Sequence, residues 1–227
     1  MLRRAAEYGI IRSMFKAYIF DMDGTLIDNC AWHVLAWREF AHRHGRDLSE
    51  RQILDWMGAT SSYYMNRIFE REVPADECAE LTLEKEKLYR AMYAPHLALA
   101  DGLREILDDA RRRGIRLSIA TGGSLDNVDF ILDGLSLRAM FDVIVDASQY
   151  ERGKPAPDCY LKAAARMGLD PAECLVFEDA VAGVRSGKAA GMRVAAVTAT
   201  IARDTLAAEK PDYLVDSFRE LWPALGV

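Results

Sequence analysis

One stretch near the start of the chain, Tyr18 to Asp28, restricts the possible folds more than any other. Its first residues, Tyr18-Ile19-Phe20, are apolar without alternation, which is typical of a strand buried on both faces. Two carboxylates, Asp21 and Asp23, follow at once, and Gly24 indicates a sharp backbone turn after them. Two buried anions repel each other, so the pattern favours a bound cation or a shared proton. Taken alone, the same motif is equally compatible with a surface turn.

The composition is that of an acidic globular protein. Apolar residues make up 51% of the chain, and 29 Lys and Arg residues against 35 Asp and Glu residues give a net charge of −6. This charge argues against nucleic acid as the main partner. Because no segment approaches the roughly 20 apolar residues of a membrane span, we also expect no membrane insertion.

The cysteines and the N-terminal residues bear on the cellular compartment. The four cysteines are widely spaced and form no C-x-x-C pair, which indicates reduced thiols in a cytoplasmic protein. Residues 1–13 have no long apolar segment and no cleavage signal, so they are either a short leader helix or an over-extended start. We expect a cytoplasmic monomer.

Helix follows helix between about Cys30 and Pro95, where no strand is evident. The segment from Ala31 to His44 carries an apolar stripe that includes Leu35, and Ser49 with Gln52 forms a capping box for the next helix. Thr60 or Ser61 caps a third helix, which runs to about Phe69. A longer charged helix is predicted from Glu77 to Tyr93, with these side chains inward: Leu81, Leu88 and Met92.

After this block, short apolar runs alternate with helical segments. The predicted strands are Arg116 to Ala120, Val143 to Val145, Leu175 to Phe177, Val194 to Val197, and Tyr213 to Val215. Such alternation predicts βαβ units, and therefore an α/β fold with a doubly wound parallel sheet. Since the first strand belongs to this sheet, the expected organisation is a catalytic core of residues 14–30 and 96–227 with a helical cap domain, 31–95, inserted after that strand.

The ends of these strands carry most of the polar side chains that could perform chemistry. Ligands bind beyond the carboxyl ends of strands in open parallel sheets, and the residues that follow them are Asp21, Asp23, Thr121, Lys154, Glu178 and Asp179. Carboxylate oxygens suit Mg²⁺. Lys154, Thr121 and the backbone N–H groups around Gly122 suit a phosphate. Each residue alone has an ordinary alternative: a helix cap, a surface lysine or a helix-dipole partner. Their joint placement at four strand ends favours an active site.

Four motifs give the chain a specific family resemblance. Asp21-Met22-Asp23-Gly24-Thr25, Thr121, Gly153-Lys154-Pro155-Ala156-Pro157-Asp158 and Phe177-Glu178-Asp179 resemble the motifs of the haloacid dehalogenase superfamily. The G-K-P-x-P-D and E-D-A forms, with a helical cap between the first two motifs, are similar to its β-phosphoglucomutase-like branch. The resemblance extends from about Phe15 onward.

The resemblance implies a role for each motif residue. Asp21 is then the nucleophile that forms an aspartyl-phosphate, and Asp23 is the general acid and base. The backbone carbonyl of Asp23 joins Asp21 and Asp179 on Mg²⁺, with Glu178 close by or ligating. Thr121 and Lys154 hold the transferring phosphoryl group. These roles agree with elementary electrostatics, because a carboxylate attacks a dianionic phosphate only when cations offset the repulsion.

The cap residues separate the functions open to this branch. His33 and Trp37 lie four residues apart on the first cap helix. In the resembling branch such a pair faces the active site, although core packing of Trp37 with a hydrogen-bonded His33 is the alternative. The loop containing Gly58 and Thr60 is also expected to face the site. Mutases of this branch carry an arginine shortly after that glycine, whereas the nearest arginine here is Arg67.

We therefore expect a phosphatase that hydrolyses a small phosphorylated metabolite, such as a sugar phosphate, with Mg²⁺ as cofactor. A phosphosugar mutase must bind a bisphosphate at both ends, and the expected cap cation is missing from the loop at residues 59–62. The mutase remains the main alternative. A non-catalytic binding member is a third possibility, but it would be expected to lack at least one motif residue.

Overall fold

The computed structural model describes residues 15–225 and 227, so the expectation for residues 1–13 lies outside its described part. The described chain divides into two compact units. One contains residues 15–28 and Ala98–Val227, and the other is the segment Asn29–Leu97. Among the described helices, none has the length and apolar character that crossing a membrane requires.

The described chain begins with strand β1 (Ala17–Phe20), which is buried along its whole length. The segment Asn29–Leu97 follows and is called the cap unit below; the structure describes every residue of it. It contains four α-helices: α1 (Cys30–Arg43), α2 (Glu50–Asp55), α3 (Ser61–Phe69) and α4 (Ala75–Tyr93). The predicted capping box of α2 is present, because Ser49 accepts from Gln52 N–H and the Gln52 side chain accepts from Ser49 N–H. The hydroxyl of Thr60 caps α3.

The buried faces of two cap helices differ from the prediction. Leu35 of α1 is 38% exposed, whereas Val34 and Trp37 are buried. On α4 the predicted inward residues Leu81 and Leu88 are half-buried and pack against the cap core, and Met92 is half-buried as well. The fully buried side chains of this helix include Lys85 and Tyr89. The prediction followed apolar character alone, whereas the ammonium of the buried Lys85 pairs with Glu86 at 2.8 Å and lies near the rings of Trp37 and Tyr89.

The other unit, called the core unit below, is an α/β domain. After the cap unit its elements are α5 (Leu103–Arg112), β2 (Arg116–Ala120), α6 (Leu125–Gly134), β3 (Val143–Val145), α7 (Asp158–Met167), β4 (Cys174–Glu178), α8 (Val181–Ala189), β5 (Arg193–Val197), α9 (Arg203–Ala208), β6 (Tyr213–Val215) and α10 (Trp222–Leu225). The six strands form one parallel sheet in the order β3-β2-β1-β4-β5-β6. This confirms the predicted doubly wound fold.

Residues alternate between the two faces of this sheet. On one face Ile19, Val176 and Val194 join a cluster that is completed by α7 side chains such as Ala163. The intervening residues form an aromatic layer on the other face, where Phe20 stacks on Phe177 with ring centroids 4.5 Å apart. Both faces are apolar because helices cover both, as expected for an all-parallel sheet. The central strands are therefore fixed, and the residues after them are held in register.

Candidate active site

Three buried carboxylates converge where β1 and β4 end. Asp21 follows β1 directly, Glu178 is the last residue of β4, and Asp179 follows it. Phe20 pairs with Phe177 in the parallel register, and the Asp21 N–H donates to the Phe177 carbonyl at 3.0 Å. One carboxylate oxygen from each of the three residues lies within 4.8 Å of the others. The sheet register therefore brings together acidic groups that are more than 150 residues apart in the chain.

Lys154 supplies positive charge to this carboxylate cluster. It lies in the loop between β3 and α7, and its Nζ donates to Asp21 Oδ1 at 2.5 Å and to Glu178 Oε1 at 2.7 Å. The Lys154 side chain is 14% exposed, so water screens these contacts only weakly. The ammonium therefore bridges the carboxylates at the ends of the two central strands.

Both carboxylate oxygens of Glu178 accept hydrogen bonds. Tyr160 O–H and Lys154 Nζ both donate to Oε1, each at 2.7 Å. The backbone N–H groups of Asp179 and Ala180 donate to Oε2 at 3.0 and 3.1 Å. Space for the carboxylate exists because residue 183 on α8 is glycine. An ideal Cβ at Gly183 would lie 1.7 Å from Glu178 Oε1.

Asp179 is oriented by the hydroxyl group of Thr25. Thr25 Oγ1 donates to Asp179 Oδ1 at 3.0 Å, whereas the buried Oγ1 atom of Thr200 makes no hydrogen bond within the described part of the chain. At Gly24, where φ is 78°, an ideal Cβ would lie 2.1 Å from Asp179 Oδ2 and 2.6 Å from Thr200 Oγ1. Glycine is therefore needed at position 24 for two reasons: the backbone there is left-handed, and a side chain would overlap Asp179.

The electrostatics of the cluster favour a bound cation. Burial raises the pKa of Asp21 well above its usual range, against the effect of Lys154, and Glu178 and Asp179 raise it further. Burial, followed by repulsion from Glu178, raises the pKa of Asp179 to about 7. Burial tends to lower the pKa of Lys154, but Asp21 and Glu178 outweigh this and raise it well above its usual value, so Lys154 stays charged. A divalent cation would remove the repulsion that remains.

The donor set suits a hard divalent cation such as Mg²⁺. The three carboxylates provide oxygen ligands only, and one lysine leaves them with an excess of negative charge. Asp21, Asp179 and Glu178 are the side chains positioned to hold the ion. That these carboxylates ligate Mg²⁺ together with the backbone carbonyl of Asp23 stays a prediction.

The remaining core residues of the predicted site lie around this cluster. The Asp23 carboxylate reaches towards the loop after β2, where its Oδ2 lies 3.5 Å from an ideal Cβ at Gly123. Thr121 is buried and its Oγ1 accepts from Gly123 N–H at 2.9 Å. Gly122 is exposed between them, two residues ahead of Ser124, which caps α6. The Gly122 backbone thus lies in the loop that leads into α6, and its binding of phosphate stays a prediction.

The four cap residues of the prediction lie in the other unit. Trp37 is 7% exposed and stacks on Tyr64 with centroids 4.1 Å apart, so it is part of the cap core. His33 stacks on Tyr89, and its Nδ1 lies 2.9 Å from Lys85 Nζ. These contacts fit the alternative of a packed pair.

The two loop residues and the nearest arginine are also placed by local contacts. Gly58 is exposed with a φ of 87°, and Thr60 caps α3. The guanidinium of Arg67 lies 5.1 Å from the ring centroid of Tyr63, one turn earlier on α3. That any cap residue contacts substrate stays a prediction.

Sequence reasoning missed several residues that shape the site. Tyr160 was hidden in an apolar helix face, and Thr200 follows a strand whose end was not considered. Gly183 had a signal that was not used, because glycine inside a helix often marks a close approach of other groups.

The fold and this carboxylate–lysine site define the class of protein. The model of the haloacid dehalogenase-like hydrolase family matches residues 15–191. The chain belongs to this family, in its β-phosphoglucomutase-like branch, and is thus an enzyme of the phosphoric monoester hydrolase class.

Particular relatives are consistent with this assignment. The chain is similar to hexitol phosphatase A of Escherichia coli strain K12, with 34% identity over 209 residues, 91% of this chain and 93% of the relative. It is also similar to β-phosphoglucomutase of Bacillus subtilis strain 168, with 31% identity over 219 residues, 91% of this chain and 95% of the relative. The crystal structure of a HAD hydrolase, family IA, variant 3, from Entamoeba histolytica superimposes with a TM-score of 0.87 at 29% identity, and covers 93% of this chain and 98% of that one.

Proposed function

We propose that the protein is a Mg²⁺-dependent phosphatase that hydrolyses a small sugar phosphate through a phosphorylated Asp21. The observation that carries the proposal is the bridge from Lys154 to Asp21 and Glu178 beside Asp179. A buried carboxylate held next to a lysine and a cation-binding cluster is equipped to attack phosphorus. Charge repulsion is the main obstacle to that attack.

The first half-reaction uses the Asp21 carboxylate as nucleophile. One of its oxygens forms a bond to phosphorus while the bond from phosphorus to the sugar oxygen breaks. Lys154 and Mg²⁺ reduce the repulsion between the carboxylate and the phosphate dianion; this is the chemistry that the ion supplies when bound. Asp23 donates its proton to the departing oxygen, so that an alcohol leaves and not an alkoxide.

The second half-reaction releases phosphate. Asp23, now ionised, takes a proton from a water molecule, whose oxygen bonds to phosphorus as the bond to the Asp21 oxygen breaks. The phosphate then leaves and Asp23 is protonated again. The Thr121 hydroxyl donates to a phosphoryl oxygen. In support, Thr121 Oγ1 accepts from Gly123 N–H, so its own hydrogen is available to donate.

The substrate class is proposed from the relatives and the cap sequence. Hexitol phosphatase A, by its name, acts on a phosphorylated hexitol. Residues 59–62, Ala-Thr-Ser-Ser, offer hydroxyls to a polyol and no cation to a second phosphate. We therefore expect a monophosphate of a sugar or sugar alcohol as substrate. The loop composition disfavours a bisphosphate as reaction intermediate.

The proposal is tested by a screen of hexose and hexitol monophosphates in which phosphate release is measured with Mg²⁺ and with a chelator. We expect release that requires Mg²⁺ and that Asp21→Asn abolishes. Asp204→Asn is a matched control, since Asp204 is an exposed carboxylate on α9 of the core unit. Near-normal phosphate release by Asp21→Asn would refute the proposed chemistry.

The mutase alternative is tested in the same preparation. Conversion of glucose 1-phosphate to glucose 6-phosphate is followed with a bisphosphate primer beside phosphate release. We expect hydrolysis to dominate. An isomerisation rate about tenfold above hydrolysis, equivalent to about 1.4 kcal/mol of barrier, would instead assign the chain to the mutases, and Arg67 and Lys85 would be the cap cations to replace first.

A further inference from the structure

Tyr160 is a buried tyrosine whose packing among apolar residues does not require a hydroxyl group. It lies on α7, is 0% exposed, and its neighbours on the buried face of this helix include Cys159, Ala163 and Ala164. Phenylalanine would fill the same space. Because burying a hydroxyl costs free energy unless it is hydrogen-bonded, the O–H group of Tyr160 requires an explanation from its contacts.

The hydroxyl and the ring contact two different members of the candidate active site. Tyr160 O–H donates to Glu178 Oε1 at 2.7 Å. Lys154 Nζ lies 4.9 Å from the centroid of the Tyr160 ring, a distance at which the ring face attracts a cation. Lys154 itself donates to the same Oε1 and to Asp21 Oδ1. One side chain thus touches both partners of the ion pair between Glu178 and Lys154.

We propose that Tyr160 is a positioning residue that makes Lys154 available to the substrate phosphate. Glu178 Oε1 is satisfied by two donors, the Tyr160 hydroxyl and the Lys154 ammonium. Without the hydroxyl, this buried oxygen depends on Lys154 alone, and the ammonium is drawn towards Glu178 and away from Asp21. When its ammonium lies closer to Glu178, Lys154 forms a weaker hydrogen bond to a phosphoryl oxygen beside Asp21. Tyr160 acts through Glu178 and Lys154, and touches no reacting atom.

The inference rests on the proposed function insofar as Lys154 binds phosphate. It predicts that Tyr160→Phe weakens the binding of inorganic phosphate, measured calorimetrically with saturating Mg²⁺, by about tenfold or more, as expected for a lost hydrogen bond to a charged group. The KM for the sugar phosphate should rise with it. The ring remains, so circular dichroism should match that of the control variant, while the melting temperature should fall by several degrees because a buried hydrogen bond to a carboxylate is lost.

Tyr213→Phe is the matched control, because Tyr213 is also a buried tyrosine of the core unit but lies on β6. We expect it to leave phosphate affinity and KM within about twofold of wild type, a difference below about 0.5 kcal/mol. Equal weakening in both variants, or wild-type phosphate affinity in Tyr160→Phe, overturns the inference. The proposed function fails separately, if the wild-type protein releases no phosphate from any ester. If the wild-type protein hydrolyses its substrate but Tyr160→Phe binds phosphate with wild-type affinity, only the role of Tyr160 is contradicted.

Discussion

Gly183→Ala should damage the site although the change adds only one methyl group. The new Cβ would lie 1.7 Å from Glu178 Oε1, 1.8 Å from its Cδ and 2.2 Å from its Oε2. Glu178 is 1% exposed and accepts four hydrogen bonds, so it can move only by breaking some of them. Alanine gains about 1 kcal/mol of helix preference over glycine, whereas two lost hydrogen bonds to a carboxylate cost about 3–6 kcal/mol. The expected net loss of stability is therefore about 2–5 kcal/mol.

Gly187→Ala on the same helix is the control. Its Cβ would approach Val194 Cγ2 at 2.8 Å and Val176 Cγ1 at 3.4 Å, so it crowds apolar side chains and leaves Glu178 alone. We expect a cost of up to about 2 kcal/mol from overpacking. Urea unfolding measures both losses, and Mg²⁺-dependent phosphate release is measured at a temperature where both variants are folded.

The two variants should differ in activity more than in stability. Gly183→Ala should lose most of its activity and its Mg²⁺ affinity, and Gly187→Ala should keep both. Normal Mg²⁺ affinity and turnover in folded Gly183→Ala would refute the view that the position of Glu178 depends on the empty space at residue 183.

The other perturbations act on the charges of the site. Lys154→Met should lower turnover by about a hundredfold to a thousandfold, measured at saturating substrate. Lys162→Met is the control, because the Lys162 ammonium donates only to a backbone carbonyl among the described contacts, and it should keep wild-type turnover. Thr25→Val should weaken Mg²⁺ binding by about tenfold in a calorimetric titration, because Asp179 loses an orienting hydroxyl. The pKa of Asp179 is raised from 3.8 to about 7. Between these pH values the folded, metal-free protein therefore binds more protons than the unfolded chain, and the free energy of unfolding should fall as the pH rises from about 4 to about 7. Mg²⁺ should therefore raise the melting temperature more at about pH 8 than at about pH 5, and an equal rise at both would contradict this. Asp179→Asn should reduce the difference, and the raised pKa of Asp21 should leave part of it.

Much of the fold could be predicted because its determinants are local. The bounds predicted for β2, β3 and β6 agree with the structure, since buried parallel strands are short apolar runs between turn residues. The cap stripes were harder. Apolar character placed Leu35 inward, but the aromatic packing of Trp37 rotates α1 so that Val34 and Trp37 are buried. Helix α9 was missed because its six residues carry little periodicity.

The candidate site could be predicted in part because strand ends in a parallel sheet meet at one edge. That rule found Asp21, Glu178 and Asp179, which the structure brings together. It does not discriminate well by itself, since Asp146 follows β3 in the same way and its carboxylate is used by Ser148 N–H and Oγ. Tyr160 was beyond reach, because its contact with Glu178 depends on how α7 packs against the sheet.

The most direct test of the central claim is to look for the phosphorylated carboxylate itself. The wild-type enzyme is mixed with substrate and Mg²⁺, quenched in acid during turnover, reduced with borohydride and digested. Reduction converts an aspartyl-phosphate to homoserine, which mass spectrometry locates in the peptide. We expect homoserine at position 21 and at no other aspartate, and none without substrate. Aspartate 21 recovered unmodified from an enzyme that is turning over rapidly, or homoserine at Asp23, would contradict it.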